Sequence, residues 1–298
     1  MRRLLTLSAA TAAAPAPATD SNHAEELRFA LELAERAGDL LVDRYERVER
    51  VDYKSARDVV TEVDHLSEAL VIAAIRSAYP DDAILAEESG EHHALPGESP
   101  AVVSGRTWVI DPLDGTVNYA NGIPFFCISI GLVVDGRPAV GVVRDPLRGE
   151  SLMATADEAA AIRDATGDER PIAASDKERL SDFVISLALS GRAVAGRLRA
   201  VRKAVRIPRT MGSAALALAY VGNGRFDAFI QEGGLSAWDI AAAGLIAERA
   251  GARVTDMTGG DWFDLARTPR SIGILAAPVV HHSALIELVK AKGPSTAR

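Results

Sequence analysis

Cysteine is almost absent from this chain. Among its 298 residues only Cys127 carries a thiol, which excludes an internal disulfide and fits a reducing, cytoplasmic setting. Cys127 sits in the apolar stretch 125–134 with no basic neighbour, so it reads as packing rather than as a nucleophile. Histidine is scarce too, at six. His92 and His93 adjoin in the polar stretch 90–105, but no further His or Cys follows at ligand spacing. A solvent-facing loop is expected there, not a zinc site. No apolar run approaches the ~20 residues of a membrane helix, so a membrane span is excluded. Acids are missing between Asp182 and Asp227, although the net charge of the whole chain is −8. That gap holds Arg192, Arg197, Arg199, Arg202, Lys203, Arg206, Arg209 and Arg225. Most of these read as a solvated helix face; some could meet a second phosphate or an anionic partner. No internal repeat is evident.

What is present suits a globular protein. Hydrophobic residues make up 48% and the mean hydropathy is +0.07, with length enough for one large domain or two packed subdomains. Residues 1–21 are rich in Ala, Pro and Thr and read as a disordered tail rather than a signal peptide, the apolar core being broken. Order is expected from Asn22, which stands at capping-box spacing from Glu25, before the helical face Leu27, Leu31, Ala34, Leu41, Tyr45. A second helix follows Asp64. Strands are expected at 83–86, 107–110, 127–134 and 138–143, the last two joined by Asp135-Gly136, a hairpin signal. Beyond a polar stretch at 164–177 the pattern alternates: strand 183–187, helix 195–205, helix 213–221, strand 226–231, then a helix opening at Asp239. The reading is an α/β protein with an α+β subdomain at 22–165 and an α/β subdomain at 166–298.

The richest chemistry lies in Trp108-Val-Ile-Asp111-Pro-Leu-Asp114-Gly115-Thr116. A short apolar run ends in two carboxylates three residues apart. Such like charges repel unless a cation lies between them, and hard divalent cations favour oxygen ligands. Gly115 permits close backbone approach, and free N–H groups at a following helix start suit an anion. An Asx-capped turn would explain the same residues without any ligand. Three more acids end elements elsewhere. Glu87-Glu88-Ser89 follows an apolar run, Asp239 opens an Ala-rich helix, and Thr61 with Asp64 has capping-box spacing. Each alone reads as a first-turn or turn acid. Four such placements in one chain point to a shared site.

The ordered set D…E-E-S…W-V-I-D-P-L-D-G-T…W-D-x-A-A, with Gly212-Ser-Ala-Ala215 and Asp256-x-Thr-Gly-Gly260, resembles the inositol monophosphatase family of Mg²⁺-dependent, lithium-sensitive phosphatases. The similarity spans about Leu27 to Val289. It implies a layered α/β/α/β/α sandwich of the inositol monophosphatase and fructose-1,6-bisphosphatase type, with the site between its halves. It implies two to three Mg²⁺ ions. Glu87, Asp111 and the Leu113 carbonyl would hold the first; Asp111, Asp114 and Asp239 would hold the second; a weaker third lies near Glu87. Asp64 and Thr116 would orient and deprotonate the attacking water. Gly115 and Thr116 N–H groups would cradle phosphate, and Glu88 would stand behind the ligands. Ala214 and Glu232 match substrate contacts, Glu232 facing ring hydroxyls of inositol. Lys54 precedes Asp58 in a K-x-x-x-D arrangement similar to the family's, and otherwise reads as a solvated loop lysine.

Two departures from the family pattern stand out. Val117 replaces a usual threonine, and the Gly-rich hairpin with its N-G turn is not recognisable around 155–171. The implied activity is hydrolysis of inositol 1-phosphate by a cytoplasmic homodimer, with no membrane or nucleic-acid partner. Histidinol phosphate, fructose 1,6-bisphosphate and adenosine 3′,5′-bisphosphate are alternative substrates. A regulatory binding protein on the same fold is the alternative of a different class.

Overall fold

A helix with apolar residues at alternate spacings of three and four has one dry stripe, and both N-terminal helices show it. The computed structural model describes residues 23–48, 50–55, 58–92, 105–190 and 194–290, with backbone alone at 53–55 and 58. Helix α1 (Ala24–Arg44) buries Ala30, Leu31, Ala34, Ala37, Gly38 and Leu41. Its N-cap is His23, without a side-chain cap; Asn22, expected in that role, lies outside the described residues. Helix α2 (Glu62–Ala78) does begin with the expected capping box of Thr61 and Asp64. Strands β1 (Val51–Ser55) and β2 (Asp58–Thr61) form a two-stranded hairpin ahead of it.

Eight strands form the first sheet, in the order β10-β9-β8-β7-β6-β5-β3-β4. They are β3 (Ala83–Ala86), β4 (Gly90–His92), β5 (Arg106–Asp114), β6 (Cys127–Val134), β7 (Arg137–Asp145), β8 (Glu150–Thr155), β9 (Ala161–Arg163) and β10 (Glu169–Pro171). Only β3 and β5 are parallel neighbours. The β6–β7 turn uses Asp135 and Gly136, both at positive φ, the geometry of the expected Asp-Gly hairpin. Strand alternation sends Trp108, Ile110, Ile128, Ile130, Val140 and Val142 to α1 and α2. Val109, Cys127, Val143 and Leu152 point the other way.

The second sheet has five strands, ordered β12-β11-β13-β15-β14. These are β11 (Val184–Ala188), β12 (Ile207–Arg209), β13 (Ala228–Leu235), β14 (Ala252–Asp256) and β15 (Ile272–Pro278). Helices α4 (Val194–Ala204) and α7 (Val279–Lys290) cover its outer face through Val201, Leu285 and Val289. Between the sheets lie α5 (Ala214–Ala219) and α6 (Ala237–Arg249), and short α3 (Thr116–Ala120) follows β5. The layers therefore run α/β/α/β/α. A helix clasped by sheets on both sides must be apolar all round and small, which explains the Ala-rich sequence of α6. Its fit against the first sheet is tight: a Cβ on Gly141 would fall 2.7 Å from the Ala242 carbonyl oxygen.

Most expected elements are present, with differences at the edges. The strand expected at 107–110 continues to Asp114. The hairpin unrecognised around 155–171 exists as β9–β10, a pair of three-residue strands. Its turn is built by Asp164, whose Oδ1 accepts bonds from the N–H groups of Thr166 and Asp168. The expected division near 165 falls inside this hairpin, and the first sheet ends only at Pro171. His92 is not in a loop: it pairs with Ile84 on edge strand β4, beside Ser89 and Arg76. His93 lies outside the described residues. No described helix is long and apolar enough to cross a membrane.

Candidate active site

Two side chains three residues apart on a regular strand point to opposite faces. Asp111 and Asp114 escape this because β5 carries a bulge: Asp111 pairs with Ser129 and Asp114 with Cys127. Three residues of β5 thus span two of β6, and the extra residue returns Asp114 to the face of Asp111. Pro112 suits this position, since it offers no N–H to the ladder. Asp239 comes from the first turn of α6, where its Oδ2 accepts the Ser236 N–H at 2.6 Å. One carboxylate oxygen from each of Asp111, Asp114 and Asp239 lies within 4.8 Å of the others.

Glu87 joins from the end of β3. Its N–H donates to the Ile110 carbonyl at 3.2 Å, and its carboxyl is within hydrogen-bonding reach of Asp111. Burial pushes the Asp111 carboxyl well above the usual carboxylate range, and the charges of Glu87, Asp114 and Asp239 push it further. Asp239 is also well raised, by burial and then by Asp114. Asp114 is raised by burial against the opposing hydrogen bond from Ser213. Asp111 and Asp114 are buried and Glu87 and Asp239 half-buried, so the cluster gathers like charges with no positive charge among them. All the donors are hard oxygens, the set that Mg²⁺ prefers over softer ions, so the residues fit that ion.

A second group flanks the cluster. Asp64, 1% exposed, accepts Thr61 Oγ1 at 2.6 Å and Thr61 N at 2.8 Å on Oδ2. Its Oδ1 faces Thr116 Oγ1 at 2.9 Å, and that hydroxyl also lies 3.1 Å from the Leu113 carbonyl. Gly115, at φ 100°, turns the chain from β5 into α3. A Cβ there would meet the Phe125 carbonyl at 3.1 Å, so only glycine fits both turn and space. Beside Asp114 and Asp239 opens a cavity of about 260 Å³, lined also by Ser186, Thr210, Ala214 and Gln231.

Glu232 is placed differently from the expectation of a free carboxylate facing hydroxyls. Arg197 Nη1 donates to its Oε1 at 2.7 Å and the Ser190 N–H to its Oε2 at 3.2 Å. The Arg197 bond holds its carboxyl below the usual range. The basic segment also differs from a uniformly solvated face, since Arg206 pairs with Asp182 and Arg225 with Glu150. Glu88 donates its N–H to Glu68 Oε2 at 2.9 Å. The Lys54 side chain lies outside the described residues. Burial raises the Cys127 thiol well above its ordinary value, which keeps it inert.

Sequence reasoning missed Ser67 and Glu68, and it gave Ser213 no role beyond its place in the Gly212–Ala215 motif. Ser67 Oγ donates to the Pro112 carbonyl at 2.9 Å, bracing the bulge. Ser67 and Glu68 follow Asp64 by three and four residues, on the buried face of α2 with Val71 and Ile75. Polar residues on an otherwise apolar stripe were the signal available for them.

The layered fold is similar to that of solved proteins described as an IMPase and as an inositol monophosphatase-fructose 1,6 bisphosphatase. The family model described as the inositol monophosphatase family matches residues 22–293, and the chain belongs to that family. It is 40% identical over 244 residues to Nus factor SuhB of Pasteurella multocida (strain Pm70), covering 78% of this chain and 86% of that one. Its fold is similar to suhB from Bartonella henselae, with TM-score 0.79, 31% identity and coverage of 90% and 99%. An IMPase from Thermotoga maritima gives TM-score 0.77 at 32% identity, covering 89% of this chain and 96% of that one.

Proposed function

We propose that the protein is a Mg²⁺-dependent phosphate monoesterase, and that inositol 1-phosphate is its substrate. The observation that carries this reading is the convergence of Asp111, Asp114 and Asp239 within 4.8 Å. Glu87, Asp111 and the Leu113 carbonyl would hold one ion; Asp111, Asp114 and Asp239 would hold a second; a third would rest near Glu87. When bound, Mg²⁺ supplies charge screening, acidification of water and stabilisation of the leaving oxygen.

The chain's own residues do the rest. Asp64, fixed by Thr61, accepts the proton of the attacking water through Thr116, whose hydroxyl already points at its Oδ1. Gly115 and Thr116 N–H groups receive the phosphate oxygens at the start of α3, with the ester oxygen directed to the Asp239 side. Water attacks in line, and no side chain needs to form a phosphoenzyme. Ala214 and Gln231 line the space that the alcohol would fill. The test is Mg²⁺-dependent phosphate release across inositol 1-phosphate, histidinol phosphate, fructose 1,6-bisphosphate, adenosine 3′,5′-bisphosphate and an aryl phosphate. Fastest turnover of inositol 1-phosphate supports the reading; no turnover of any sinks it.

The names of the relatives favour a second reading, a Nus factor role. In that role the basic stretch 192–209 would contact a partner. Retention of every expected carboxylate argues that catalysis is kept alongside it. A homodimer completes the proposal, with the division expected at 22–165 and 166–298 moved to the end of the first sheet at Pro171.

A further inference from the structure

Asp114 accepts two short hydrogen bonds on one carboxylate oxygen. Ser213 Oγ donates to Asp114 Oδ2 at 2.5 Å and the Ala215 N–H to the same oxygen at 2.7 Å. Cys127 Sγ approaches that oxygen at 3.8 Å. These partners lie 99, 101 and 13 residues away in sequence, so the contact ties the first sheet to α5. Ser213 is 2% exposed and lines the cavity with Gly212 and Ala214. The same wall is anchored at Met211, whose carbonyl accepts Asn118 Nδ2 at 2.8 Å. Asn118 belongs to α3, the helix that opens at Gly115.

We infer that Ser213 is a positioning residue: it fixes one oxygen of Asp114, leaves the other to the second cation, and so couples cation binding to the cavity wall. The inference rests on the metal reading above. Two donors on Oδ2 remove the rotational freedom of a carboxylate that must meet an ion at one distance and angle. Residues that orient ligands in this way govern affinity even though they never touch the metal. The wall from Thr210 to Ala214 is then placed by the same carboxylate, so the substrate's alcohol and the second cation share one support. Glu87 and Asp111, which would hold the first cation, have no bond to Ser213 among the hydrogen bonds described.

The test is Mn²⁺ titration of the full chain followed by electron paramagnetic resonance, which counts bound ions by affinity class without any turnover. Ser213→Ala should weaken one class about 10–100-fold and leave the other unchanged. Ser213→Thr, which keeps the hydroxyl, should bind like the parent, and Ser213→Val, its isostere without one, should behave like alanine. Ser213→Cys, a weaker donor of similar size, should fall between and carries the comparison if the alanine variant fails to fold. Unchanged affinity in both classes for alanine and valine variants would overturn the inference. Equal weakening of both classes by the threonine and valine variants would assign Ser213 to packing and also overturn it. A parent protein that binds no Mn²⁺ would instead overturn the metal reading itself, a distinct result.

Discussion

Thr116 Oγ1 stands 2.9 Å from Asp64 Oδ1, a pairing across 52 residues that joins the start of α3 to the start of α2. Asp64 completes a capping box with Thr61, so one oxygen is committed to helix α2 and the other to Thr116. A cap needs only the first of these; the second turns the carboxylate towards the cluster.

Asp64→Asn should therefore lower kcat about 10²–10⁴-fold, the usual contribution of a positioned general base. Asparagine keeps the cap, so the melting temperature should hold, and Mg²⁺ affinity should hold because Asp64 is not among the ligands. A variant with near-parental kcat would remove Asp64 from the mechanism. A lowered melting temperature would show that asparagine does not keep the cap.

Asp111 gives a prediction about both rate and stability. As a ligand shared by two ions, Asp111→Asn should cost at least ~10³-fold in kcat. The raised carboxyls of Asp111 and Asp239 mean that the folded state holds protons the unfolded chain has released. Stability of the metal-free protein is then fully present below the ordinary carboxylate range and falls as pH rises above it. His282 acts oppositely, held down to about 4 by burial, so it lowers stability as pH falls from 6.5 towards 4. In EDTA the melting temperature should fall as pH rises above the ordinary carboxylate range, and added Mg²⁺ should restore it. Asp111→Asn should flatten both effects. Millimolar Li⁺, implied by the family resemblance, should inhibit the parent uncompetitively or noncompetitively.

The sequence carried the chemistry more completely than the geometry. Trp108 to Thr116, Glu87 and Asp239 announced themselves because each acid follows an apolar run or opens an apolar helix. The outer strands did not. Strands β9 and β10 are three residues each, too short for alternation to appear, and the Asp164 turn that joins them is made by side-chain bonds. The bulge that turns Asp114 to the face of Asp111 is a property of pairing with β6, invisible along β5 alone. Arg197 meets Glu232 across 35 residues, so neither the basic run nor the acid disclosed its partner.

The position of α6 sets Asp239, and Gly141 sets α6. A methyl at Gly141 would lie 2.8 Å from Ala242 Cα as well as 2.7 Å from its carbonyl oxygen, contacts that backbone cannot relieve locally. Gly141→Ala should destabilise the fold by about 1–3 kcal/mol, the cost of overpacking a filled core. Displacing α6 should also weaken Mg²⁺ binding through Asp239. Urea unfolding with and without Mg²⁺ measures both; an unchanged midpoint would show that the helix shifts freely.

Glu232 separates the substrate readings. If its carboxylate receives ring hydroxyls, Glu232→Gln should reduce kcat/KM for inositol 1-phosphate by about 1–3 kcal/mol, the scale of a hydrogen bond to a charged group. An aryl phosphate, which offers no hydroxyls, should lose little. The same substitution also loosens a half-buried arginine held at 2.7 Å. Arg197→Ala leaves the carboxylate in place and removes its arginine partner, together with the guanidinium's bonds to the Ser190 and Val289 carbonyls. A polyol reader whose aim depends on the clamp should then lose inositol 1-phosphate turnover in both variants, with aryl phosphate turnover kept in both. If the two substrates fall together, Glu232 and Arg197 serve to hold α4 against β13. If turnover of a bisphosphate rises in Glu232→Gln while inositol 1-phosphate is unaffected, removal of one negative charge is what matters, and the substrate carries a second anionic group.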